Sequence, residues 1–125
     1  MTRTLASSLA LVALLVGGCS GNADPAPSPA AFTCGDERAD VQGRVDAAVW
    51  ACLEKGPPAT LRVTHTTTEG DPIVSTYRAQ GDGTVAVTTD STADRYAGAS
   101  DRRVRSATCP DVRTARDDPS SCPED

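Results

Sequence analysis

The sequence predicts an α+β fold in which one amphipathic helix packs on a three- or four-stranded antiparallel meander, with two disulfides. Apolar residues recur at helical spacing over residues 40–53, and alternating apolar and polar residues follow in later stretches. Four cysteines lie between residues 34 and 122, as in small domains that are stabilised by disulfides. A helix followed by consecutive strands is the order typical of α+β domains.

The helix is predicted from Asp40 to Leu53. Asp36 or Asp40 can cap its start, and Gly56 with the prolines after it ends it. Trp50 lies beside the centre of the apolar stripe, so we expect it to cover the edge of the core rather than form an exposed contact. The stripe itself consists of Val41, Val45, Ala48, Val49 and Cys52.

The strands are predicted over residues 61–67, 73–79, 84–89 and 102–109. Placing Val63 opposite Tyr77, and Tyr77 opposite Val87, collects the apolar residues of the first three strands on one face. This register makes Thr68–Pro72 the first hairpin loop. The second loop is then Gly81-Asp82-Gly83, a type I turn with a left-handed glycine.

The N-terminus has the pattern of a bacterial lipoprotein signal. Arg3 precedes an apolar stretch from Leu5 to Val16 that is too short for a permanent membrane span. Leu15-Val16-Gly17-Gly18-Cys19 then resembles a lipobox, in which the cysteine is acylated and becomes the new N-terminus. We favour this over an ordinary secretory signal, and expect Cys19 to anchor the chain to the membrane, facing outside the cytoplasm.

Composition divides the chain into four parts. Residues 1–18 are the signal peptide, 19–32 the lipidated cysteine with a Pro/Ala-rich spacer, 33–112 the α+β domain, and 113–125 an acidic tail tied by Cys122.

The cysteines after Cys19 are Cys34, Cys52, Cys109 and Cys122, an even number that predicts two disulfides in an oxidising compartment. Three pairings are open, and the sequence-local one, Cys34 with Cys52 and Cys109 with Cys122, is our first choice. A zinc site of four thiolates is disfavoured because no C-x-x-C pair is present.

The chain carries a formal net charge of −5, and its sequence contains no basic patch with interleaved aromatics, so nucleic acid is not an expected partner. Arg102, Arg103 and Arg105 form a small positive cluster. We interpret it as a solvated strand face, with contact to anionic lipid or cell-wall polymer as the alternative.

Four acidic residues are candidates for a weak binding site. The predicted register brings Asp90 near Asp71, with Glu69 and Asp94 close by, and clustered carboxylates suit Ca²⁺. We favour the simpler interpretation that these acids accept hydrogen bonds from loop N–H groups, because no EF-hand spacing is present. The sequence therefore predicts no metal and no cofactor.

His65 is the only histidine, and the predicted register places it opposite Ser75. A His–Ser pair raises the hypothesis of a small envelope hydrolase. Neither residue lies in a nucleophile elbow, so a histidine at the core edge that hydrogen-bonds Ser75 is favoured, and no catalytic residue is predicted.

The order of motifs resembles a family of small bacterial lipoproteins of unknown function. The resemblance rests on Glu69-Gly70-Asp71-Pro72-Ile73, on Asp90-x-Thr92-x-Asp94-x-Tyr96, and on a strand ending at Cys109, and it covers roughly residues 47–112. Ala97 departs from the pattern, in which Gly directly follows the aromatic residue. The resemblance implies lipidation and domain limits, but no catalytic residues.

These observations predict a lipid-anchored binding or accessory module of the cell envelope, with an unidentified protein or cell-wall component as partner. A hydrolase using His65 and a purely structural envelope component are the alternatives.

Overall fold

The computed structural model describes residues 32–56 and 58–125; the predicted signal peptide, Cys19 and the spacer up to Ala31 lie outside the described residues. A five-stranded mixed sheet has its strands in chain order, with β1 parallel to β2 and every other neighbouring pair antiparallel. The elements are β1 Phe32–Arg38, α1 Ala47–Lys55, β2 Ala59–Thr66, β3 Pro72–Ala79, β4 Val85–Asp90, β5 Val104–Cys109, α2 Val112–Asp117 and a 3₁₀ turn at Pro119–Ser121.

The α+β class is confirmed, and β2 to β5 form an antiparallel meander. The predicted sheet of three or four antiparallel strands is wrong in one respect, because β1 adds a fifth, parallel strand. Helix α1 lies in the crossover that a parallel pair requires. The sequence of β1 is mostly polar, and its pairing is interrupted by a bulge next to Gly35, whose φ is +129°. An edge strand with a bulge has no regular alternation, so periodicity could not reveal it.

Helix α1 begins at Ala47, later than predicted. Its N-cap is Asp46, whose side chain accepts a hydrogen bond from the Ala48 N–H at 2.8 Å. Asp40, predicted to begin or cap the helix, instead accepts two N–H groups of its own loop, and Gly43 in that loop has a φ of +78°. These local bonds compete with helix formation and delay its start.

The buried face of α1 overlaps only in part with the predicted stripe, because Val45 and Val49 pack against the core but Ala48 is exposed. Leu53 is fully buried, whereas Val41 is 96% exposed and lies before the helix. Trp50 is buried as expected, and its ring meets that of Tyr77 edge-to-face, with the ring centroids 4.9 Å apart. The helix therefore packs on the sheet mainly through Trp50 and Leu53.

The register of the sheet is partly as predicted. Tyr77 lies opposite Val87, but its partner on β2 is Leu61 rather than Val63. Because side chains alternate with a period of two, this two-residue shift leaves every side chain on its predicted face. The core therefore forms on the expected side of β2, β3 and β4.

Both predicted disulfides are present, Cys34–Cys52 and Cys109–Cys122. The first joins β1 to α1, and the second joins the end of β5 to the segment after α2. Residues 113–125, which the sequence separates as a tail, supply the fully buried Ala115 and the buried Cys122 to the core. Neither of the helices in the described part of the chain has the length and the apolar run needed to span a bilayer.

Candidate functional site

The predicted acidic residues gather at one end of the sheet, which we call the hairpin end. It consists of the β2–β3 loop, residues 67–71, and the β4–β5 loop, residues 91–103. Phe32 is paired with Ala59 at the start of β2, so the described chain begins at the opposite end of the sheet. The length of the strands thus separates the hairpin end from Phe32, where the predicted spacer would join the domain.

The β2–β3 loop is a tight turn. The Thr67 N–H donates to the Asp71 carbonyl at 2.9 Å, and the Gly70 N–H donates to the Thr67 carbonyl at 3.0 Å. Gly70 has a φ of +94°, a conformation that glycine adopts without steric cost. The predicted loop Thr68–Pro72 is corrected here, because Pro72 already pairs with Thr66 as the first residue of β3.

The β3–β4 turn is built in the same way, and here the predicted turn is confirmed. The Gly83 N–H donates to the Gln80 carbonyl at 3.1 Å, and the Gln80 N–H donates to the Thr84 carbonyl at 2.8 Å. Gly83 has a φ of +91°. Both hairpins therefore close through a glycine at the left-handed position.

Asp71 is the centre of the hairpin end. It is only 4% exposed, and its carboxylate accepts the Arg95 backbone N–H at 2.9 Å and the Arg95 Nε–H at 2.9 Å. The Arg95 backbone N–H lowers the pKa of Asp71, helped by the Arg95 guanidinium, although burial acts in the opposite direction. Asp71 thus stays charged at neutral pH and joins the β2–β3 loop to the β4–β5 loop.

The β4–β5 loop is also closed on itself. The Ser91 N–H donates to the Arg103 carbonyl at 3.2 Å, and Ser91 Oγ lies 2.6 Å from the Asp101 carbonyl oxygen and 2.9 Å from that of Arg103. These contacts hold the two ends of the loop together. Because Arg95 ties its middle to Asp71, the loop has the self-packed character of an Ω-loop.

Asp90 and Asp94 each have a partner close by in the chain. Asp94 accepts the backbone N–H groups of Tyr96 and Ala97, both at 3.0 Å. Asp90 accepts the Thr92 hydroxyl at 2.6 Å and the Thr92 N–H at 2.9 Å, and the hydroxyl, followed by the N–H, lowers the pKa of Asp90. Both carboxylates therefore accept hydrogen bonds from N–H or O–H groups of their own loop.

The four acidic residues have different partners rather than a common centre. Asp90 lies opposite Val74, as the predicted register required, and Glu69 accepts a hydrogen bond from the neighbouring Thr68 hydroxyl at 3.0 Å. Asp71 is engaged by Arg95 rather than placed beside the other acids. Within residues 32–56 and 58–125, no group of three or more His, Cys, Asp or Glu side chains is arranged to hold a metal ion.

The predicted pairing of His65 with Ser75 is wrong. His65 lies opposite Ile73, and Ser75 lies opposite Val63 because of the two-residue shift in register. Ser75 Oγ instead lies 3.3 Å from Thr89 Oγ1 on β4. The facing pair that suggested a hydrolase is therefore not formed, and neither is the His65–Ser75 hydrogen bond that was favoured over it.

A shallow groove of about 440 Å³ lies apart from the hairpin-end acids, between the sheet and the 3₁₀ turn. Its walls include Val87, Ala107 and Pro119, and its charged side chains are Arg105 and Glu124. His65 and the four predicted acidic residues do not line it. The groove is therefore separate from the place where the sequence motifs meet.

Sequence reasoning missed Arg95, the residue that organises the hairpin end. Arg95 stands inside Asp90-x-Thr92-x-Asp94-x-Tyr96, at a position that the motif leaves unspecified. The available signal was Asp71 itself, because a carboxylate that becomes buried in a tight hairpin needs a cation or several N–H donors. The sequence alone does not show which cation pairs with Asp71, because that depends on the path of the β4–β5 loop.

The chain matches none of the family models, curated proteins or solved structures with which it was compared.

Proposed function

We propose that this chain is a lipid-anchored extracytoplasmic lipoprotein that serves as a binding or accessory module of the cell envelope. The observation that carries the proposal is Leu15-Val16-Gly17-Gly18-Cys19 at the end of an apolar segment. The resemblance to small bacterial lipoproteins supports the same assignment. Acylation of the cysteine would supply enough buried hydrocarbon for stable attachment.

The pairing of the other cysteines supports a location outside the cytoplasm. The chain has five cysteines, and the four that follow Cys19 are joined to each other in two disulfides. Disulfides of this kind form and persist in oxidising compartments. None of the four therefore needs Cys19 as a disulfide partner, which agrees with a thioether at that residue.

A binding role is supported by how the hairpin end uses its charged groups. Asp71, Asp90 and Asp94 are engaged in holding loops, while Tyr96 is exposed. A structured loop that presents exposed aromatic and basic side chains suits contact with a partner. The hydrolase has less support, because Ser75 Oγ lies 3.3 Å from Thr89 Oγ1 on β4 and the residue opposite His65 is Ile73.

Substitution of the lipidated residue tests the anchor. We expect Cys19→Ala to abolish incorporation of a labelled fatty acid and to leave the signal peptide uncleaved by the lipoprotein-specific peptidase, because the thiol that receives the lipid is gone. Ser20→Ala, at the next residue, is the matched control and should be labelled and processed normally. Lipid incorporation into the Cys19→Ala chain would refute the assignment.

A further inference from the structure

The two disulfides differ in how easily a reagent in solution can reach them. Cys109 is fully buried and Cys122 is 6% exposed, and both belong to the core. Cys34 and Cys52 are partly exposed. A disulfide is opened by a thiolate that must reach one of its sulfurs, so access decides which of two disulfides reacts. Cys34–Cys52 is therefore the bond that a thiol can attack in the folded protein.

A surface groove of about 490 Å³ gives access to this disulfide. The residues that line it are Phe32, Ala48, Cys52, Lys55 and Gly56. Its walls are mostly apolar, and Phe32 is 57% exposed. Lys55 adds an ammonium group, and a cation of this kind stabilises a nearby thiolate. The groove therefore places an apolar contact surface and a cation next to one half of the disulfide.

Strand β1 is held to the domain by this disulfide and by its pairing with β2. It lies at the edge of the sheet, and none of its 7 residues is buried. A bulge next to Gly35 interrupts the pairing. Arg62 donates a hydrogen bond to Asp36 at 2.6 Å, but both side chains are exposed, and surface ion pairs contribute little to stability. The attachment of β1 therefore depends on the disulfide more than that of the other strands does.

The core is built from other elements than β1. Its largest fully buried side chains are on α1, β2, β4 and β5, and they are Leu53, Leu61, Val63, Val85 and Cys109. A segment with few buried apolar contacts opens at a lower free energy than the core does. Strand β1 can therefore separate from β2 while the rest of the sheet stays folded.

We propose that Cys34–Cys52 is a redox-active disulfide, which a protein dithiol opens at Cys52, and that its reduction releases β1 from the edge of β2. In the oxidised domain this edge of the sheet is the bulged β1, and bulges hinder pairing with a further strand. Release uncovers the backbone groups of β2 that pair with β1, and a regular uncovered edge can accept a strand of another chain. The redox state of the disulfide thereby controls which strand forms this edge.

The exchange with the dithiol takes two steps. One thiolate of the dithiol forms a bond to Cys52 Sγ, the Cys34–Cys52 bond breaks, and Cys34 leaves as a thiolate that takes a proton from water. The second thiol of the dithiol loses its proton and attacks the mixed disulfide, so that Cys52 leaves in the same way. The dithiol is oxidised to a disulfide, and both cysteines of this chain are reduced. Attack falls on Cys52 because Cys52 lines the groove and Cys34 does not.

Reduced thioredoxin, a protein with an active-site dithiol, is the probe for selective opening. It is added to the full-length chain carrying Cys19→Ala in detergent, so that the only cysteines are those of the two disulfides. Free thiols are then alkylated and located by peptide mass. We expect two alkyl groups, at Cys34 and Cys52, while Cys109–Cys122 stays intact as the internal control. Opening of both disulfides at the same rate, of Cys109–Cys122 first, or of neither would overturn the proposal.

A thioredoxin variant without its second active-site cysteine identifies the sulfur that is attacked. The mixed disulfide that this variant forms cannot be resolved, and it therefore accumulates. We expect peptide mapping to find thioredoxin linked to Cys52. A link to Cys34, or the absence of any link, would contradict attack through the groove.

Hydrogen exchange tests the release of β1, with the oxidised Cys19→Ala chain as the reference. We expect the amides of residues 33–38 to lose protection after reduction by thioredoxin, whereas those of β3 and β4 keep theirs. The same chain with Cys34→Ser/Cys52→Ser added should show this pattern without a reductant. Unchanged protection of β1 in either sample, or loss of protection throughout the sheet, would rule out a separable β1.

These measurements do not depend on the lipid anchor, because residue 19 cannot be acylated in any of the chains used. Failure of the anchor is detected separately by lipid labelling of Cys19.

Discussion

Asp71 shows how one side chain can fix the relation between two loops. Its backbone carbonyl closes the β2–β3 turn, its backbone N–H donates to Thr67 Oγ1 at 3.0 Å, and its carboxylate binds Arg95. A buried carboxylate without such partners would carry a large desolvation cost. The ion pair with Arg95 therefore offsets the desolvation cost of burying the charged Asp71 carboxylate.

We predict that Asp71→Asn lowers the melting temperature at neutral pH. Because the folded-state pKa of Asp71 is lowered, its contribution to stability is present above the unfolded pKa, which is about 3.9, and is lost as pH falls through the folded pKa. The difference in melting temperature between the two proteins should therefore be largest near neutral pH and shrink below about pH 4.

Thermal melts at several pH values provide the measurement. Glu69→Gln is the control in the same loop, and because Glu69 is exposed we expect little change from it. A difference for Asp71→Asn that persists unchanged at low pH would show that the charge of Asp71 is not what stabilises the fold.

At the residue level, the sequence predicted contacts that a side chain makes with residues close to it in the chain. Asp94 caps the N–H groups that follow it, and Gly83 takes the left-handed position, both as local turn chemistry predicts. The partner of Asp71 could not be derived, because Arg95 lies 24 positions further along the chain. Ion pairs between residues far apart in the chain depend on the paths of loops, and the pattern of residue types does not specify those paths.

Helix α1 illustrates the same limit for an element. The predicted helix covers residues 47–53 of α1, and Gly56 ends the helix as expected, but the apolar pattern extended the predicted helix back to Asp40. Asp40 and Asp46 both have side chains able to cap, and the pattern does not decide between them. The position of the cap in turn decides which residues face the sheet.

Two substitutions distinguish the observed helix from the predicted one. We expect Leu53→Ala to cost about 2–5 kcal/mol, because truncating a fully buried leucine leaves a cavity, and Val41→Ala to stay within about 0.5 kcal/mol. Chemical denaturation of both variants measures this. If Val41→Ala were as costly as Leu53→Ala, the apolar stripe predicted from the sequence would be the true packing face.

For the whole molecule, the question is how far the folded domain extends. The sequence places the end of the domain at residue 112 because residues 113–125 are acidic and lack periodicity. Helix α2 is only 6 residues long, too short for an amphipathic pattern to stand out. Its contribution comes from Ala115 in the core and from the Cys109–Cys122 disulfide beyond it.

Truncation after Val112 tests whether this segment belongs to the folded unit. The truncated chain, with Cys109→Ser to avoid a free thiol, loses a disulfide that closes a short loop, worth about 3 kcal/mol. It also loses the packing of Ala115 and Cys122 against the core. Since a small domain has only about 5–15 kcal/mol in total, we expect a large drop in the denaturation midpoint or complete unfolding.

Two further chains separate the causes of that drop. Full-length Cys109→Ser/Cys122→Ser loses the disulfide but keeps α2, so its midpoint should lie between those of the intact and truncated chains. Removal of Glu124 and Asp125 alone breaks only contacts along the edge of β5 and should change stability little. If the truncated chain instead melted with the same midpoint as full-length Cys109→Ser/Cys122→Ser, the C-terminal segment would stabilise the domain only through the disulfide, and the packing of α2 would contribute nothing to its stability.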